Sequence, residues 1–209
     1  MSLYDHTIVA PVLESNELQW RSLRRSFRTS VNKSRRQQLS LIDSRSKESF
    51  LEFSRHFNEF ASQRNLAPLS ADVVSSIFDR YAQLDPPAVL LVQAKRSEAI
   101  LGGILLVRNR DRLIYEWGWT APHDVTQGTP VMHPLFWRAF EIARERDINS
   151  IDLGGYWSEL GHEDPINHFK LGISKSVVRI LPEHVYVMSP LLYGFRSHLR
   201  KLSSFVRQK

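Results

Sequence analysis

The chain has 209 residues, 42% of them hydrophobic and 24% charged, with a formal net charge of +6 and no cysteine. That is enough apolar sequence for one sizeable core and a single domain, and the missing cysteines exclude disulfides, thiolate metal sites and a cysteine nucleophile. The positive balance favours polyanionic partners: nucleic acid, nucleotide-linked substrates or an anionic lipid surface.

The first twenty residues lack the basic start and continuous apolar core of a signal peptide, and no run reaches the length of a membrane span. The sequence therefore predicts a cytoplasmic protein. "HTIVAPVL", His6–Leu13, is short, β-branched and closed by proline, which predicts a first strand or an extended arm. Ser15 or Asn16 then offers a helix N-cap. From Leu18 to Arg36 the residues Leu18, Trp20, Leu23, Phe27 and Val31 recur at mostly helical spacing. Arg21, Arg24, Arg25, Arg28, Lys33, Arg35 and Arg36 surround them, with no acid between Glu17 and Asp43, so one basic helix is expected.

"QLSLIDS" reads as a strand. "SKESFLEFSRHFNEFASQRN" repeats Phe50, Phe53, Phe57 and Phe60 at three- and four-residue steps, a helix with an aromatic stripe. "SADVVSSIFDRYAQL" is a second helix, capped by Ser70 and stopped at Asp85-Pro86-Pro87. "AVLLVQA", "AILGGILLVRN" and "RLIYEWGWT" follow as strands joined by short polar turns, hence consecutive antiparallel hairpins. "PVMHPLFWRAFEIARER" is a long amphipathic helix starting near Pro130 or Pro134, and "INSIDLG" is a strand parallel to the one before that helix. The chain from Ser176 to Met188 is expected to be extended, and a closing basic amphipathic helix spans 189–209. The order predicts an α+β domain with a mixed, mainly antiparallel sheet flanked by helices. It has an N-terminal strand and basic helix over 1–36 and a core over 37–188.

A parallel pair flanking a helix splays where a ligand can enter, and a helix start offers free amides to an anion. Gln127, Gly128 and Thr129 are therefore candidates to meet a phosphate. Glu116, in the aromatic strand "LIYEWGWT", is a candidate base; alternation sets it on the face opposite Tyr115 and Trp117. "GHEDPINH" gathers His162, Glu163, Asp164 and His168, but its spacing lacks the paired imidazoles of a metal helix. Asp164 is better read as an N-cap, and no metal site is expected. In "INHFKLG", Ile166, Phe169 and Leu171 are read as anchors of one helical turn that projects Lys170. Spacing leaves that lysine equally readable as a held cation for an oxyanion and as an ordinary exposed lysine. The basic helix carries Arg21, Arg24, Arg25, Arg28, Lys33 and Arg36, and Lys175 and the last helix with Arg196 and Arg200 add to it. This set can track a phosphate backbone or form a solvated face, and the last helix equally suits an anionic membrane.

The order of "WRSLRRSFRTSVNKSRR", "LGGILLVRNRDRLIYEWGWT", "HPLFWRAFEIARERDINSIDLGG", "NHFKLGIS" and "SPLLYGFRSHLRKL" resembles the FemABX family of aminoacyl transferases, relatives of the GNAT acyltransferases, over nearly the whole chain. Its most specific pieces are Asp152 to Gly155, Phe169 to Gly172 and the Pro-Leu-Leu-Tyr start of the last helix. The resemblance implies a GNAT core and transfer of an aminoacyl group from aminoacyl-tRNA to an amine-bearing acceptor, without a tightly bound cofactor. It implies that Lys170 handles the transferring ester and Phe169 holds the terminal adenosine. Trp119 and Tyr156, at the strand ends bordering the cleft, join the donor-binding set. Bridge-forming members have two GNAT-like halves, and 209 residues hold one; a homodimer is one way to supply the other. Two alternatives stay open, an acyl-CoA-dependent N-acyltransferase of the same fold and a non-catalytic RNA- or membrane-binding module. "QGTPVMHP" retains only the glutamine and one glycine of the CoA-binding glycine loop.

Overall fold

The computed structural model describes residues 5–160 and 163–180. His162, Arg196, Arg200 and the expected helix over 189–209 lie outside the described residues, as does most of the stretch expected to be extended after Ser176.

Among the described residues, seven strands form one sheet: β1 (His6–Pro11), β2 (Ser40–Ser44), β3 (Val89–Arg96), β4 (Ala99–Asn109), β5 (Arg112–Thr120), β6 (Ser150–Tyr156) and β7 (Val177–Arg179). Their order is β2-β3-β4-β5-β6-β1-β7, and every neighbouring pair is antiparallel except β5 and β6. The expected hairpins from β3 to β5 form, and the chain crosses from β5 to its parallel neighbour through a long helix.

Helices cover both faces. On one side lie α1 (Asn16–Ser22), α2 (Arg25–Arg36) and α6 (Met132–Glu145), where Phe27, Val31, Leu135, Phe136 and Phe140 join Leu90, Leu106 and Ile151 in one core. On the other lie α3 (Lys47–Ser62) and α4 (Ala71–Ile77), the latter continuing as a wide π-type turn over Phe78–Ala82. Phe50, Phe53 and Phe57 of the expected stripe are buried there against Leu91, Leu105 and Trp119, and Phe60 packs at the margin. Each buried aromatic of this kind contributes roughly 1.5–3 kcal/mol of hydrophobic stabilisation. A single-turn α5 (His123–Thr126) sits in the loop after β5, and α7 (Pro165–Leu171) carries the "INHFKL" segment. Among the described residues, no helix is long and apolar enough to cross a membrane.

The single basic helix expected over Leu18 to Arg36 is instead two helices. Leu23 and Arg24 are extended, with ψ of 145° at both, and Arg24 caps α2. The cause is tertiary: the Arg24 N–H donates to the Gly172 carbonyl at 3.0 Å, so the backbone turns out of the helix to meet the end of α7.

Candidate active site at the splay of two parallel strands

Pairing between β5 and β6 is confined to Arg112–Ser150, Leu113–Ile151 and Ile114–Asp152, although the strands run on to Thr120 and Tyr156. Two local features accompany the separation. On β5, Tyr115 pairs with Leu106 and Trp117 with Leu105, leaving Glu116 as the extra residue of a β-bulge, a device that bends and twists a strand. On β6, Asp152 Oδ1 accepts the Gly154 N–H at 2.9 Å, and Gly154 takes φ +79°, a conformation open to glycine at little cost. The bulge also corrects the strand reading. Tyr115 packs on Phe136 of α6 at 5.1 Å while Trp117 joins the α3 side, so these two aromatics face opposite ways instead of together.

Lys170 reaches the splay from α7. Asp164 caps that helix as expected, accepting the Asn167 N–H at 2.7 Å, and Pro165 occupies the first turn, where no N–H is needed. Asn167, 2% exposed, ties the helix to the end of β6: its side-chain amide donates to the Trp157 carbonyl at 2.9 Å and accepts from the Trp157 N–H at 3.4 Å. The anchors are therefore Asn167 with Phe169 and Leu171, both packed on the core as expected, whereas Ile166, also expected to anchor, is 62% exposed. Lys170 does not project into solvent. It is 8% exposed, and its Nζ donates to the Gly155 carbonyl at 2.7 Å. A Cβ on Gly154 would lie 3.7 Å from both Nζ and the Tyr115 carbonyl, so the ammonium sits beside the point where the two strands part. Burial lowers its pKa to about 8, with Asp152 and Asp164 pulling in the opposite direction.

Asp152 is the carboxylate that fixes this corner. Besides the Gly154 N–H it accepts the Thr7 hydroxyl of β1, and Arg112 approaches to 3.9 Å. Glu116 stands exposed on the bulge; partial desolvation, then the Asp152 charge, raise its pKa, an effect that water screens at such a site. Phe169 is half-buried among Phe27, His133 and Phe136, with centroids 5.9, 5.0 and 5.6 Å away. His133, second residue of α6, is held uncharged at neutral pH: burial and then the Arg24 charge lower its pKa to about 4. Tyr156 is half-buried against the same core.

Several expected site residues serve other ends. Trp119 is 3% exposed and stacks on His56 at 4.6 Å in the α3 core, so packing, not donor contact, accounts for it. The Gln127 and Thr129 amides donate to the carbonyls of His123 and Thr126, which removes two of the three N–H groups expected to face an anion. Thr129 is itself buried and accepts from Arg96, and Lys33 donates to the Gly128 carbonyl at 2.9 Å. Arg21 pairs with Glu17 at 2.5 Å, and Arg35 lies over Trp20. Arg24 donates through Nη2 to the His168 carbonyl at 2.9 Å. Arg25, Arg28 and Arg36 have no side-chain ion pair or hydrogen bond among the described residues, and Lys175 is exposed.

Asp152, Asn167 and His133 were not marked as site residues by the sequence. A signal existed only for Asp152, whose Asp-x-Gly spacing permits the turn it makes. Asn167 and His133 read as ordinary helix residues.

Among the described residues, a seven-stranded, mostly antiparallel mixed sheet with one parallel pair and helices on both faces is consistent with the fold of a GNAT-type acyltransferase. The chain belongs to the acetyltransferase (GNAT) domain family, whose model matches residues 21–170. Among solved structures it is similar to FemX, with a TM-score of 0.76 and 13% identity over 91% of this chain and 63% of that one. It is also similar to the C-terminal domain (DUF2156) of a putative lysylphosphatidylglycerol synthetase from Agrobacterium fabrum, at TM-score 0.59 and 14% identity over 84% and 58% of the two chains. An aminoglycoside acetyltransferase, meta-AAC0020 from an uncultured soil metagenomic sample, matches at TM-score 0.50 and 10% identity over 72% and 97%. These likenesses establish the fold, and the chain spans about 60% of the length of the first two. No curated protein sequence matches the chain.

Proposed function

We propose that the protein transfers an aminoacyl group from aminoacyl-tRNA to an amine acceptor, whether a peptide, a nucleotide-linked molecule or a small molecule. The observation that carries this reading is the buried Lys170 ammonium beside the splay of β5 and β6. In the reaction the acceptor amine attacks the ester carbonyl, a C–N bond forms, and the C–O bond to the ribose breaks. Negative charge grows first on the carbonyl oxygen and then on the leaving ribose oxygen. A cation held in a poorly hydrated corner stabilises that charge without reorganising at the moment of reaction. Lys170, with a pKa near 8, is also able to give a proton to the ribose oxygen. The attacking amine must lose a proton, and Glu116 on the exposed bulge is the acceptor we assign.

Phe169 presents its remaining exposed surface for stacking on the terminal adenine. Arg25, Arg28 and Arg36 of α2 supply charge for tRNA phosphates. The likeness to FemX and to a lysylphosphatidylglycerol synthetase domain supports an aminoacyl donor over acyl-CoA. So does the loop at Gln127–Thr129, where two amides are spent within the turn.

The test is transfer from charged tRNA by Lys170→Met, measured as the rate of amide formation with a panel of amine acceptors. Loss of at least a hundredfold is expected, and wild-type turnover would remove the mechanism. Calorimetric titration with acetyl-CoA separates the donors: binding at micromolar concentration, without binding of aminoacyl-tRNA, would move the assignment to a CoA-dependent N-acyltransferase. Salt-sensitive RNA binding with no turnover on any donor would make the chain a binding module.

A further inference from the structure

Arg24 meets α7 in three ways. Its N–H donates to the Gly172 carbonyl at 3.0 Å, its Nη2 donates to the His168 carbonyl at 2.9 Å, and its guanidinium lies against Gly172. A Cβ added to Gly172 would lie 3.0 Å from both Arg24 Nη2 and the Phe169 carbonyl oxygen, and 3.4 Å from Arg24 Cζ. His168 and Gly172 flank Lys170 on the last turn of a seven-residue helix. So short a helix has little stability of its own, and the guanidinium at its C-terminus gives the His168 carbonyl a second donor beside the Gly172 N–H at 3.2 Å, a cation where the helix dipole favours one. The chain also breaks the basic helix at Leu23 and Arg24 to make these contacts, which a phosphate-binding arginine on a continuous helix would not require.

We propose that Arg24 is a positioning residue, holding the α7 turn so that Lys170 Nζ stays against Gly155 at the strand splay. The role deepens the aminoacyl-transfer reading and rests on it for its catalytic consequence, whereas the placement of Lys170 is measurable alone. Phosphate attraction predicts a different signature, since a lost phosphate contact weakens tRNA binding and lowers its salt dependence without moving Lys170.

The experiment compares the full chain with Arg24→Met, Arg24→Lys and Gly172→Ala. Competitive acetylation with acetic anhydride across pH, read by mass spectrometry of the peptide holding Lys170, gives the titration of that amine directly. In the wild type it should titrate near 8. With Arg24→Met the turn loosens, Lys170 gains water, and its titration should rise by a unit or more toward the ordinary lysine value. Gly172→Ala, whose Cβ presses on both the guanidinium and the Phe169 carbonyl of α7, should shift it the same way, and Arg24→Lys, which touches the guanidinium alone, should restore part of the wild-type value. The kcat of transfer should fall roughly tenfold to a hundredfold with KM for tRNA little changed, since a small displacement of a reacting group costs that much. Melting by circular dichroism identifies any variant that fails to fold; the two milder substitutions then carry the comparison. Unshifted Lys170 titration in folded variants, or a raised KM at constant kcat, would overturn the role of Arg24. If instead Lys170→Met transfers at the wild-type rate while Arg24→Met still shifts the labelling, the aminoacyl-transfer reading fails and the placement stands.

Discussion

The Lys170 ammonium donates to the Gly155 carbonyl at 2.7 Å while almost entirely out of water. One hydrogen bond does not repay the hydration lost by such a cation, and the lowered pKa expresses that deficit. A drop from 10.5 to about 8 corresponds to about 3 kcal/mol. Between these values the unfolded chain binds the proton that the folded chain has released, so wild-type stability should rise as pH increases from 8 to 10.5. Lys170→Met removes the deficit and leaves one carbonyl unpaired, which costs about 1 kcal/mol. Urea unfolding at pH 7 should show the variant roughly 1–3 kcal/mol more stable, with the gap closing toward pH 10. A variant less stable than wild type at pH 7 would mean that the ammonium is better paired than its contacts suggest.

Asp152 acts on both titrating groups of the site, and in the same direction. Its charge raises the pKa of Lys170 and of Glu116. Asp152→Asn should therefore move both limbs of the pH–rate profile for transfer to lower pH, the alkaline limb belonging to Lys170 and the acid limb to Glu116. A profile displaced on one limb alone would remove one of the two assignments.

Gly154 has φ +79°, which a side chain adopts only with strain. The space itself is adequate, because an added Cβ would have its nearest neighbours at 3.7 Å. The expected cost of Gly154→Ala is thus conformational, roughly 1–3 kcal/mol. It should appear in denaturant unfolding as a lower midpoint at unchanged slope.

Replacing Arg25, Arg28 and Arg36 together by Gln should reduce tRNA affinity and, more tellingly, its salt dependence. Three lost phosphate contacts lower the slope of log K against log salt by about 2 to 3. Filter binding between 50 and 200 mM salt checks this; an unchanged slope would place the tRNA elsewhere on the molecule.

The parts of the fold set by local periodicity were legible in the sequence. The stripe Phe50, Phe53, Phe57, the hairpins from β3 to β5 and the Asp164 cap depend on residues close to one another along the chain, and the parallel return at β6 follows from the strand-helix-strand order. What escaped depends on distant partners. The break at Arg24 exists because of Gly172, nearly 150 residues away, and no spacing within "LRRSF" announces it. The side to which Lys170 points follows from Gly155 and the Asn167 tether, so helical spacing alone could not distinguish a buried lysine from an exposed one. Trp119 was read by its position in a strand, but stacking on His56 from another helix decides its role.

Glu116 stands outside the pairing ladder of β5, so the halves of that strand before and after it are one step out of phase. Deleting Glu116 would make Tyr115 and Trp117 neighbours, and ordinary alternation would still send each to its own core, because their partners Leu106 and Leu105 are themselves adjacent and lie in the two different cores. The hairpin at Asn109–Arg112 can lengthen or shorten without touching either core, because it lies at the sheet's rim. A change of length at the tip leaves the sheet's shape alone, whereas the loss of one residue at the middle alters the shape and spares the packing. A chain that loses its bulge would keep both cores and give up the added bend and twist of β5 beside the splay.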